Sequence, residues 1–222
     1  MIGLTDFLKS WYWIFGFFGC AVIMISIVIS AVSYRGVTSQ RYSLLNHYIS
    51  ELGEVGVSKR AAWFNRGMIL TGLLFLIFTT GLGLKLDNTW AFLGILAGLW
   101  TGTACLLVGV YPMNDLTPHS RVATAYFRGG LVTVLLFTMA IFFQASGVQV
   151  ISRWANLAGL AAVLSYATFI GLSDRQKPDE DAAQAEGEPV FKERPRFSLI
   201  PALEWLVFIT TILWFLVITL SN

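Results

Sequence analysis

The sequence predicts an all-α integral membrane protein: six transmembrane helices, with a short amphipathic interfacial helix in the first cytoplasmic loop. Three observations lead there. Of the 222 residues, 56% are apolar and 13% are charged, against about 25% charged in soluble domains. Six windows reach the roughly 20 apolar residues needed to cross a hydrocarbon core of about 30 Å. None of them alternates as a barrel strand would.

The windows place spans at about 11–34, 62–84, 89–111, 122–145, 151–172 and 200–220 in one membrane domain covering 1–222. The first is longer than the apolar core of a signal peptide, about 7–15 residues, and no small-residue cleavage pattern follows it, so it reads as a retained span. Cys20 and Cys105 fall inside spans and belong to no CxxC or Cys/His cluster, which marks them as packing residues rather than a disulfide framework or zinc module. A net charge of +2, with no basic block interleaved with aromatics, excludes nucleic acid as the partner these residues suggest.

Six spans put both termini on one side. That side carries Lys9, Lys85 and Arg153, whereas the other carries twelve Lys and Arg, from Arg35 to Arg196. By the positive-inside rule the basic side is cytoplasmic, so the expectation is a multi-pass protein of the cell (inner) membrane with non-cytoplasmic N- and C-termini. Trp11, Trp13, Trp90 and Trp154 mark the outer span limits and Trp63 and Trp205 the inner ones; Trp100 and Trp214 are mid-span and fit no aromatic belt. The cytoplasmic connections then hold most of the polar chemistry. One of them, 173–198, has an acidic middle, basic flanks and Pro178, Pro189 and Pro195, and reads as a flexible linker.

Gly94, Gly98 and Gly102 repeat every four residues along the third span. Such a row lets backbones approach closely, either at the centre of the bundle or as the seam of a homo-oligomer. Arg66, Arg128 and Glu204 lie a turn or two inside the boundary. Ionisable residues at that depth are costly unless paired or functional, which suggests pairing Glu204 with one of the arginines.

The chain's only two histidines sit in two of the inner loops, 35–60 and 112–121. On a helical wheel of Gln40 to Glu54, Leu44, Leu45, Tyr48, Ile49 and Leu52 share one face while Ser43, His47, Ser50, Glu51 and Glu54 share the other. Ser39 would cap this helix and Gly53 or Gly56 would end it. In VGVYPMNDLTPHSRVA, Thr117 and Pro118 predict an N-cap and first helical residue. His119 and Arg121 would then lie in a first turn whose backbone N–H groups favour an anion.

Several chemistries fit these groups. His47, Glu51, Asp115 and His119 have the donor types of a divalent-metal site, as in a metal-dependent hydrolase, although their spacing matches no metal motif. Ser50 with His47 or His119 would supply a nucleophile and base, without a nucleophile elbow. Arg66, Arg121 and Arg128 beside the fourth helix start suit a lipid headgroup or another anion, with membrane lipids as partners and no required cofactor. A purely structural or partner-binding use, tying the two loops together, is the remaining reading.

The run NHYISELGEVGVSKRAAWFNRG, followed by a glycine-bearing span and VGVYPMNDLTPH, resembles the prokaryotic membrane proteins grouped as domain of unknown function family 998. The resemblance covers a six-span plan over nearly the whole chain. It implies that His47, Ser50, Glu51, Gly53, Asn65, Gly109, Pro112 and His119 are hallmark positions, and it adds Asn65 to the ligand-binding candidates with Arg66, His119, Arg121, Arg128 and Glu204. A more distant likeness is to the six-span DRAM and Frag proteins, from which this chain departs in its loops. The family likeness implies a site rather than a chemistry.

Overall fold

The computed structural model describes residues 3–36, 39–145, 147, 149–185 and 195–221. Six helices form: α1 (Leu4–Ser33), α2 (Ala61–Leu86), α3 (Thr89–Val110), α4 (Leu116–Phe142), α5 (Ala155–Ala185) and α6 (Leu199–Leu220). All six contain stretches long and apolar enough to cross a membrane, that of α5 being Ala155–Gln176. Each helix packs on the next, and α6 returns to α1, so the six close into a ring in chain order. The termini lie at one end. The opposite end, the loop end, carries the α1–α2, α3–α4 and α5–α6 connections.

Helix limits follow local chemistry. Between Lys9 and Arg35 there is no charged residue, so α1 runs unbroken. α2 stops at Asp87, which takes a left-handed conformation (φ 48°, ψ 49°), and Asn88 starts α3 by accepting the Ala91 amide at 3.0 Å. The Asn88 side chain also donates to the Ala140 carbonyl at 2.9 Å, fastening this turn to α4. α4 begins two residues before the expected Thr117 cap: Asp115 is the N-cap, without a side-chain bond, and Pro118 is the third helical residue. The first four amides of a helix have no intrahelical acceptor, so proline is tolerated there as well as at the first position. α5 carries helix to Ala185, into the segment expected to be linker, and residues 186–194 lie outside the described ones.

The expected amphipathic helix over Gln40 to Glu54 is reduced to one 3₁₀ turn, Ile49–Gly53, preceded by turns at 44–46. Its predicted faces are also redistributed. Leu44 and Leu45 are exposed, while His47 and Glu51 are buried beside Ile49 and Leu52. The polar side chains turn inward because they satisfy backbone groups of the loop, His47 accepting the Ser43 amide and Glu51 the Tyr48 amide.

The glycine row of α3 is filled within the chain. A Cβ on Gly94 would meet the Phe137 ring of α4, and Cβ atoms on Gly98 and Gly102 would meet Thr79 and Leu76 of α2. Opposite Gly102, a Cβ on Gly72 would approach the Gly102 carbonyl to 2.8 Å and the Leu106 amide to 2.7 Å, both backbone atoms. The two mid-span tryptophans also find distinct places: Trp100 faces outward, and Trp214 is fully buried against Phe137 and Phe215.

Because backbone cannot yield as a side chain can, Gly72→Ala is expected to lower stability by about 1–3 kcal/mol. Gly171, with open space around its missing Cβ, is the control, where alanine should be neutral or stabilising by up to about 1 kcal/mol. Thermal denaturation of the two variants in the same detergent checks the pair.

Candidate functional site

In lipid, backbone groups outside regular helix must find partners within the protein. The loop from Tyr42 to Gly56 meets this demand by docking into the loop end of the ring. The Ile49 amide donates to Glu204 Oε2 on α6 at 2.8 Å. Glu51 accepts the Tyr48 amide at 2.8 Å through Oε1 and the Tyr34 hydroxyl, from the end of α1, at 3.1 Å through Oε2. Asn65 of α2 donates to the Gly53 carbonyl at 3.0 Å, and Asn114 exchanges two 2.8 Å bonds with the Val55 backbone. Ser198, just before α6, donates its amide to the Leu45 carbonyl at 2.8 Å.

Two glycines make this docking sterically possible. A Cβ on Gly53 would collide with Asn65 Oδ1, and one on Gly109 with the Asn65 backbone carbonyl. Asn65 is thus held between the first loop and the end of α3. His47 completes a triangle of rings with Tyr34 and Tyr42, each centroid 5.3 Å from its own, and its Nδ1 accepts the Ser43 amide at 3.2 Å. Tyr42 donates its hydroxyl to the Tyr48 carbonyl at 3.0 Å. Burial first, and the Glu204 charge second, push the Tyr42 phenol well above its usual range and keep it a neutral donor.

Behind the docked loop lies a pocket that is partly open at its mouth. Its walls come from α1, α2, α3, α4 and α6, and the 3₁₀ turn contributes Ile49 and Ser50. It reaches from the loop end past mid-bundle to Phe15, Phe78 and Phe215. Aliphatic and aromatic side chains dominate its lining, while Ser50, His119 and Glu204 gather polar atoms at the loop end. His119, buried in the first turn of α4, has Nδ1 2.8 Å from the Tyr111 carbonyl. Ser50 directs its hydroxyl to Met113 Sδ at 3.6 Å.

The structure therefore divides the expected residues. Ser50, His119 and Glu204 share the pocket, whereas His47 and Glu51 serve the loop's internal bonding and do not line it. Asp115 is exposed, and among the described residues no group of three or more His, Cys, Asp or Glu side chains is disposed to hold a metal. Arg66, Arg121 and Arg128 are also exposed, and none lines the pocket. The expected pairing of Glu204 with an arginine is not found: Arg128 bonds Asp174 at 2.9 Å, and Glu204 takes a backbone amide. Arginine side chains at this depth reach outward along the helix surface. Tyr34, Met113 and Asn114 are additions from the structure: Tyr34 meets the Glu51 carboxylate, Met113 the Ser50 hydroxyl and Asn114 the Val55 backbone, pairings between distant or backbone groups that carry no sequence signature.

The family model described as "Protein of unknown function (DUF998)" matches residues 17–221. The chain belongs to the DUF998 family. No curated protein and no solved structure matches it, and the more distant DRAM and Frag likeness gains no support. Within this DUF998 chain several of the positions named from the resemblance lie together. Gly53 and Gly109 pack on Asn65, Glu51 ties the loop to α1, and Ser50 and His119 reach the pocket.

Glu51→Leu withdraws an acceptor from two donors at once, and leaving a buried donor without one costs about 1–3 kcal/mol. The variant should melt earlier and be cleaved faster by protease between Tyr42 and Lys59. Arg66→Ala, at an exposed position, should stay within about 0.5 kcal/mol of the parent.

Proposed function

We propose that this DUF998 protein is a lipid-binding protein of the inner membrane, and that its central pocket receives the apolar chain of a membrane amphiphile whose polar end rests at the loop end. The observation that carries the reading is the distribution of chemistry along one cavity: a mainly apolar deep wall, with Thr71 and Thr211 its hydroxyls at mid-bundle, and Ser50, His119 and Glu204 at the loop end. Ligand sites commonly combine an apolar lining with a few placed polar groups that fix orientation. The twelve-to-three distribution of Lys and Arg supports a cytoplasmic loop end and termini on the far side.

An anionic headgroup was the expectation drawn from the arginines. Their positions favour the chain-binding version, because Arg66, Arg121 and Arg128 all stand outside the pocket.

Gly19 offers a direct way to fill the cavity. It lines the pocket, and a Cβ there would meet only Leu74 Cβ at 3.6 Å, an ordinary contact. Gly19→Leu should therefore fold normally and copurify with several-fold less lipid in native mass spectrometry. Equal lipid retention by the two proteins would count against the pocket as the binding site.

A further inference from the structure

At the polar end of the pocket Glu204, His119 and Ser50 each present an acceptor atom, with the Tyr126 hydroxyl also in the lining. Glu204 is 7% exposed and His119 is 6% exposed. The one hydrogen bond to Glu204 from the described residues is the Ile49 amide on Oε2, and no Lys, Arg or His among them forms an ion pair with it. A carbonyl can only accept, so the 2.8 Å contact between His119 Nδ1 and the Tyr111 oxygen assigns the hydrogen to Nδ1. With that hydrogen on Nδ1, the corresponding tautomer carries its lone pair on Nε2, to which no hydrogen bond from a described residue runs. Ser50 points its hydrogen at Met113 Sδ, leaving its oxygen lone pairs available.

A carboxylate removed from water is strongly disfavoured unless it is matched by a positive charge. The side chains around Glu204 supply none, and the nearby arginines are on the outside of the ring. A phosphate or carboxylate headgroup would bring a second acceptor and a like charge to this end. An ammonium group brings one positive charge and three N–H donors, against a carboxylate oxygen, an imidazole nitrogen and a hydroxyl oxygen.

We infer that the amphiphile bound in this pocket is a long-chain amine, its protonated amino group held by Glu204 with His119 and Ser50 accepting the remaining hydrogens. This inference rests on the lipid-pocket reading and specifies its ligand. It makes Glu204 bifunctional: one oxygen fastens the loop and the other faces the ligand.

The test compares dodecylamine, dodecanol and dodecyl phosphate as probes at pH 7, each displacing a fluorescent long-chain reporter from the full-length protein in nanodiscs. For the parent protein the amine should compete at least tenfold more strongly than either of the others. Glu204→Gln retains a side-chain carbonyl for the Ile49 amide, so the loop should stay docked while the amine's advantage over the alcohol falls to about onefold. Alcohol or phosphate competing as well as amine in the parent, or an undiminished amine preference in Glu204→Gln, would overturn the inference while leaving the pocket intact. Competition by no probe, or equal competition in Gly19→Leu, would instead overturn the pocket reading itself. The three-probe comparison on the parent decides the case even where the variant does not fold.

Discussion

The hydrogen bond from the Ile49 amide to the Glu204 carboxylate is the contact on which the loop end depends. It joins residues 155 positions apart and connects the α1–α2 loop to the last helix of the ring. An irregular loop at membrane depth is tolerated only where protein satisfies its backbone. Here the satisfying groups come from Asn65 on α2, Asn114 before α4 and Glu204 on α6, while Tyr34 at the end of α1 holds the Glu51 side chain. The loop is consequently a structural cross-brace, and its inward face becomes one wall of the pocket.

The brace explains why small residues recur where they do. Gly53 and Gly109 both abut Asn65, so the first loop and the α3 end approach the same asparagine from two sides. It also explains the reversal of the loop's polarity. His47 and Glu51 are buried because they accept backbone and phenol donors, and Leu44 and Leu45 are left outside, where a membrane interface accommodates them.

The six spans were legible from hydropathy because helix length and bilayer thickness constrain each other directly. The first loop was not, since a helical wheel assumes a period of 3.6 that a 3₁₀ turn flanked by irregular chain does not obey. Glu204 was recognisable as an ionisable residue out of place, yet its partner was misassigned to an arginine. Side-chain charges can be read from a sequence, whereas a backbone amide looks the same at every position. The pocket was equally hidden, as its lining comes from five helices at positions with no shared spacing. His119 lies in the first turn of α4, as the Thr117 and Pro118 signal implies, and its Nδ1 is engaged by the Tyr111 carbonyl, a backbone partner that no sequence pattern announces.

Together these features separate charge by location: cations occupy the outer surface of the loop end, and acceptors face the interior. That arrangement depends on the loop being docked, since undocking would withdraw Ser50 from the pocket and free Glu204 from the Ile49 amide. Hydrogen–deuterium exchange of the segment 42–56 in nanodiscs tests the docking most directly, because exchange reports the free energy of local opening. The account predicts that the Ile49 amide exchanges slowly in the parent protein and speeds up selectively in Glu204→Leu, with amides in the middle of α2 unchanged. Exchange of Ile49 in the parent at the rate of an open, solvated loop would contradict it.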